Sequence, residues 1–110
     1  MKEEEVDSSE KAREVAAQVI PRPSYGNPFF ADAARALSRE VLVSFIRSRQ
    51  PWTFRDVAIV LSSKERLREV LERAPEARGL LVSLLKNDET FTEIMAVLNT
   101  HWQRYNTTGS

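Results

Sequence analysis

The sequence predicts an all-α fold: a compact bundle of about six short-to-medium helices with no sheet. Three observations lead there. Apolar residues recur at three- and four-residue steps in separate segments. Cap-forming Ser, Thr, Asn or Asp residues precede these segments, and prolines follow several of them. Strand signals are missing: there is no Val/Ile/Thr alternation and no Asn-Gly hairpin turn.

The first helix is expected from about Ser8 to Val19. Asp7 is placed to cap it, with Glu10 three residues on in capping-box spacing. Val15, Val19 and the alanines between them form a narrow apolar stripe. Pro21 and Pro23 end it, since proline lacks an amide donor and clashes with the preceding turn. The second helix is the clearest. Asn27 suits the N-cap and Pro28 the first helical position. Phe30, Ala34, Leu37, Val41 and Phe45 then mark one face, and Ala33, Leu42 and Ile46 widen it. A stripe that wide belongs to a central helix. The helix should stop near Arg49, because the residue before Pro51 avoids helical geometry.

Thr53 is expected to cap a short third helix with Phe54, Val57, Ala58 and Leu61 facing inward. Ser62, with Glu65 three residues later, is the expected cap of a fourth. Its inward positions are Leu67, Val70, Leu71 and Ala74, and Pro75 closes it. A fifth helix carries Leu80, Leu81, Leu84 and Leu85. Gly79 in that run costs about 1 kcal/mol against Ala, so it either admits close packing or precedes the helix start. Thr90 with Glu93 repeats the capping-box spacing before the last helix, traced by Phe91, Ile94, Met95, Leu98, Trp102 and Tyr105. Short connectors imply local antiparallel packing.

Composition bounds the function. The chain has 110 residues, enough for one modest core. Sixteen basic and 16 acidic side chains give no net charge, which argues against strongly electrostatic binding of nucleic acid. Without Cys there is neither a disulfide framework nor a thiolate metal site, and one His excludes a histidine-rich cluster. No apolar run approaches the roughly 20 residues of a membrane helix. Charge is unevenly placed: residues 2–10 sum to −4, and residues 11–110 to +4. The acidic start is expected to be a solvated tail through residue 7. Residues 8–105 then form a single domain, and the polar residues 106–110 a tail, linker or cloning scar.

Catalytic patterns are missing. Gly26, Gly79 and Gly109 are isolated, so no glycine loop cradles phosphate. His101 lies beside Trp102 and reads as a packed or surface group. The carboxylate pairs Glu65/Glu69 and Glu89/Glu93 are ordinary for solvated helix faces. No catalytic, metal-binding or cofactor-binding residue is therefore assigned, and no cofactor is expected. The basic side chains carry more. Residues 47–86 sum to +4, and Arg47, Arg49 and Arg55 gather at the junction of the second and third helices, beside Trp52. A Trp among arginines either stacks unpaired bases or packs on the bundle end. Arg66, Arg68 and Arg73 alternate with Glu65, Glu69 and Glu72, a pattern that intrahelical pairing explains.

The run Asn27-Pro28-Phe29-Phe30-Ala31-Asp32-Ala33-Ala34-Arg35 resembles the motif opening the all-alpha domain of type IV secretion coupling proteins. Those are TraD/TraG-like, membrane-anchored hexameric ATPases of bacterial conjugation. The approach through Ile20-Pro21 is similar, as are Trp52-Thr53-Phe54-Arg55-Asp56-Val57, Leu61-Ser62-Ser63 and Glu89-Thr90-Phe91 with Ile94. The resemblance covers residues 11 to 105. It implies a non-catalytic domain inserted in an ATPase motor, on the cytoplasmic face of the inner membrane. It implies recruitment of relaxase, relaxosome accessory or effector proteins, and in some members contact with DNA. Phe29, Phe30, Ala33, Ala34 and Leu37 match the signature and read as core. Arg35 is expected to pair with a carboxylate (Asp32, Glu40 or Asp56) or to cap a helix end. The alternative reading is a DNA-contacting domain that uses Arg47, Arg49 and Arg55. The fold is also similar to the core-binding domain of tyrosine recombinases, a likeness of fold alone. The isolated piece is expected to be a monomer, with the hexamer belonging to the parent protein, and its two ends should lie on one side of the bundle.

Overall fold

The computed structural model describes residues 2–22, 28–74, 79 and 87–107. Among these residues it holds five α-helices and no strand: α1 (Ser9–Val19), α2 (Phe29–Ser48), α3 (Phe54–Leu61), α4 (Lys64–Glu72) and α5 (Asp88–Thr107). The expected helix over Leu80–Leu85 lies outside the described residues. Gly79 is itself helical and exposed, and a Cβ built there meets nothing within 4 Å, so close packing does not explain it.

α2 is the central element, with α1, α3, α4 and α5 all packed on it. Its inward face runs through Ala33, Ala34, Leu37, Val41 and Leu42, each buried. The alanines let α1 approach closely, and Ala12 and Ala16 of α1 are buried as well. The signature aromatics divide. Phe30 packs against the core, but Phe29 is 48% exposed, which corrects its reading as a core residue. Consecutive helical residues point about 100° apart. With Phe30 aligned on the inward stripe, Phe29 must turn aside; it meets Phe30 edge-on, with ring centroids 5.3 Å apart.

Several caps differ from expectation. α1 is capped by Ser8, whose hydroxyl accepts from the Lys11 amide, rather than by Asp7. α4 is capped by Ser63 rather than Ser62, and Ser63 Oγ accepts from the Arg66 amide. α5 starts earlier than Thr90; the Asn87 side-chain carbonyl accepts the Thr90 amide proton. In each case an adjacent or nearby polar residue competes for the same orphan donors, and the backbone direction decides. Thr53 caps α3 as expected, in a complete capping box with Asp56.

The acidic start also differs. Glu3–Glu5 form a 3-10 turn, and Val6 behind it is 3% exposed and part of the core. One apolar side chain is enough to hold this segment against the bundle. At the other end α5 continues through Thr107, past the expected boundary at 105.

Two contacts lock α2 to its neighbours. The Arg35 Nε–H donates to the carbonyl oxygen of Ile20, the C-cap of α1. Arg35 therefore caps a helix end, while Asp32 pairs with Arg22 at 3.2 Å. Across the core, the Trp102 indole N–H donates to Ser38 Oγ at 3.0 Å, and that hydroxyl donates to the Ala34 carbonyl at 2.8 Å. Both side chains are at most 1% exposed. Lys64 ties α4 to the start of α5 through Asp88 (3.5 Å) and the Thr92 hydroxyl (3.0 Å). The registers follow. Ile20 lies against Arg35, and Arg13 shares a cleft with Arg39, so α1 and α2 run in opposite directions. Trp102 against Ser38, then Tyr105 against Phe54 with ring centroids 5.4 Å apart, carries α5 toward the end of α2.

Ser38→Ala leaves a buried indole N–H without its acceptor. The expected loss is about 1–3 kcal/mol of stability, measured by urea unfolding at an unchanged m-value. A loss near zero would show that the bond does not hold the core together.

Candidate nucleic-acid interface

The corner between α2 and α3 is built by stop and start signals in close succession. Arg49, the C-cap of α2, adopts φ 58° and ψ 17°, a left-handed conformation that a side chain disfavours by about 1–2 kcal/mol. Its amide donates to the Ile46 carbonyl at 3.3 Å. Ser48 Oγ donates to the Phe45 carbonyl at 2.7 Å and accepts from the Gln50 amide at 3.3 Å. Pro51 follows, and the Thr53–Asp56 capping box then opens α3, with Asp56 Oδ2 2.9 Å from the Thr53 amide nitrogen. The corner's backbone polar groups are thus widely satisfied by local bonds.

Beneath the corner lies an aromatic chain. Trp52 is partly buried between Phe45 (6.0 Å between ring centroids) and Phe54 (5.7 Å, edge-on). Phe54 meets Tyr105, and Tyr105 meets Trp102, each at 5.4 Å. Trp52 is therefore an outer link of the core's aromatic network, which fixes its orientation.

The arginines lie on the outside. Arg47 is exposed in the last turn of α2, Arg49 at its cap, and Arg55 in the first turn of α3. Arg49 and Arg55 have no ion-pair partner among the described residues, and the neighbouring carboxylate, Asp56, is taken up by the cap of α3. A cation near a helix C-terminus is favoured by the helix dipole, which accounts for Arg47 and Arg49 in part. Arg55 sits at the opposite pole, where the dipole disfavours it. Beside the corner is a cleft of about 420 Å³, lined by Phe45, Pro51, Val70 and Ala74 with Arg47 and Arg73 among its polar residues.

The structure brings Arg47, Arg49, Trp52 and Arg55 to one corner. The signature residues Ala33, Ala34 and Leu37 lie inside the bundle, and Arg35 lies on the α1 side of α2. On α4 the expected intrahelical pairs are not formed: none of Arg66, Arg68 and Arg73 lies within ion-pair distance of Glu65, Glu69 or Glu72. Exposed pairs of that kind contribute only about 0.3–0.5 kcal/mol, too little to order these side chains against their hydration. His101 is partly buried on α5. Two sets of residues went unremarked in the sequence. Ser38 carried a signal, as a polar residue inside an apolar stripe. Arg13 and Arg39 carried none, since only the pairing of α1 with α2 joins them.

A family model described as the type IV secretion-system coupling protein DNA-binding domain matches residues 2–106. The chain belongs to this family. Searches of the curated proteins and of the solved structures returned no match. The coupling-protein match spans every helix described above, from the 3-10 turn to the last full turn of α5. The all-helical bundle is thus the fold of a coupling-protein domain. No helix among the described residues is long and apolar enough to cross a membrane.

Arg49→Gly relieves the left-handed backbone at the end of α2. It should raise stability by up to about 1 kcal/mol, read from urea or thermal unfolding. A destabilised variant would mean that the arginine side chain secures the corner.

Proposed function

We propose that this domain docks DNA for a conjugative coupling protein, and that the α2–α3 corner is its contact surface. The observation that carries the reading is the exposure of Arg47, Arg49 and Arg55 on one corner, where Arg49 and Arg55 have no ion-pair partner among the described residues and Asp56 is engaged in the cap of α3. The family to which the chain belongs is named for DNA binding, which supports the same reading. Arg49 adds weight: the position suits glycine, yet a cation is kept there. The arginines meet backbone phosphates, and contacts of that kind position nucleic acid without reading sequence. Trp52 braces the corner from within and contributes its exposed edge.

The domain does no chemistry of its own in this reading; ATP hydrolysis belongs to the motor of the parent hexamer. In this reading the domain is inserted in that motor, on the cytoplasmic face of the inner membrane. Isolated, it is a monomer. A second reading, docking of relaxase, relaxosome accessory proteins or effectors, is favoured by the apolar cleft beside the corner. The two surfaces adjoin, so a relaxase carrying DNA would engage both.

Fluorescence anisotropy with a labelled oligonucleotide across a salt series tests the reading. Affinity should fall linearly on a logarithmic salt scale, and changing Arg47, Arg49 and Arg55 to Glu should flatten that slope by about three. A salt-insensitive titration, or a triple variant that binds as well as the parent chain, would overturn it. For the second reading, the uncharged variant Val70→Asn should weaken relaxase capture and leave the salt slope of DNA affinity unchanged.

A further inference from the structure

A second surface on the bundle has the chemistry of an oxyanion site. Between α1 and α2 lies a cleft of about 350 Å³ lined by Ala16, Ala17 and Ala36, of which Ala16 is buried, and by Arg13, Arg35 and Arg39. The small side chains are there because the two helices approach through alanine. The longer arginine arms form the rest of the lining.

Among the described residues none of the three cations has an ion-pair partner. The acids on these helices are Glu10, Glu14, Asp32 and Glu40, and none lies within ion-pair distance of Arg13, Arg35 or Arg39, Asp32 being paired with Arg22. Glu14 is instead 3.7 Å from Lys11. Arg35 gives its Nε–H to Ile20 and is fixed in place by it. Arg39 is less well served: its Nε is shut off from solvent and has no hydrogen-bond partner. A buried donor without an acceptor is disfavoured, and like charges around one cleft repel. An oxyanion held in the cleft accepts from the solvent-facing N–H groups of these guanidiniums and offsets their charge.

We infer that the α1–α2 cleft binds a phosphodiester group of the DNA backbone through Arg13, Arg35 and Arg39. This inference rests on the DNA-docking reading and extends its contact surface along α2. Arg39 and Arg47 are eight residues apart on that helix, about 12 Å along its axis and about 80° around it. At about 3.4 Å per nucleotide a strand crosses that distance in three to four phosphates. One DNA backbone therefore reaches both surfaces. The fixed guanidinium of Arg35 orients the phosphate, while Arg13 and Arg39 close on it.

The test follows the arginine Nε–H signals of the 110-residue chain by NMR, with inorganic phosphate and with a short oligonucleotide as separate titrants. Arg39 and Arg35 signals should move with the oligonucleotide at concentrations where inorganic phosphate has little effect. Arg13→Gln and Arg39→Gln should each lower the salt slope of DNA affinity by about one, and Arg39→Lys should keep most of it. Arg35 is left unchanged because it holds α1. DNA binding with unmoved signals and unchanged slopes would overturn the cleft as a site and leave the corner standing. Signals that move with inorganic phosphate, in a chain that binds no DNA, would assign the cleft to a free phosphate and overturn the DNA source. Unmoved signals with both titrants, in a chain that binds no oligonucleotide, would remove the cleft and the docking reading together.

Discussion

The Trp102 indole must find an acceptor inside the protein, and Ser38 provides it. An indole N–H removed from water is disfavoured unless it is bonded. The register that sets α5 against α2 at Ser38 meets that demand, and the same hydroxyl donates its own hydrogen bond to the Ala34 carbonyl. The bond adds little net stability by itself, but an alignment that left the indole N–H unpaired would be disfavoured by about 1–3 kcal/mol. That asymmetry fixes which turn of α5 meets which turn of α2. Tyr105 then meets Phe54, Phe54 meets Trp52, and Trp52 meets Phe45. The orientation of the α2–α3 corner is inherited from a contact in the middle of the core.

Function rides on that rigidity. A surface that binds a polyanion gathers like charge, and like charge needs a scaffold that tolerates it. Here the arginines stand on helix ends and helix faces whose backbones are anchored by other means: the Ser48 and Thr53 side-chain bonds at the corner, and the Arg35–Ile20 bond at the cleft. Zero net charge conceals this arrangement. The acidic residues before position 11 offset the basic excess of the rest of the chain, so a whole-chain sum understates the local field.

Much of the fold could be read from periodicity. The stripe of α2, its stop before Pro51 and the Thr53 cap all appear where the residues place them. Cap assignments failed where the sequence offers neighbours of equal chemistry, as in Asp7-Ser8 and Ser62-Ser63. Local propensity does not separate such pairs; the direction of the incoming chain does. Phe29 was misread because two adjacent aromatics cannot share one helix face. Val6 was missed because a single apolar residue in an acidic run gives no periodic signal. The corner arginines were legible since they are neighbours in sequence. The cleft was not, because Arg13 and Arg39 meet only through the tertiary pairing of α1 with α2.

Amide and indole hydrogen exchange, measured with and without DNA, tests the whole account most directly. A core-clamped bundle with an arginine docking face predicts that the Trp102 indole N–H exchanges only through global unfolding in both states. It also predicts that DNA adds protection at the α2–α3 corner and along the α1–α2 face. Rapid indole exchange in the free protein, or DNA protection confined to α4, would contradict it.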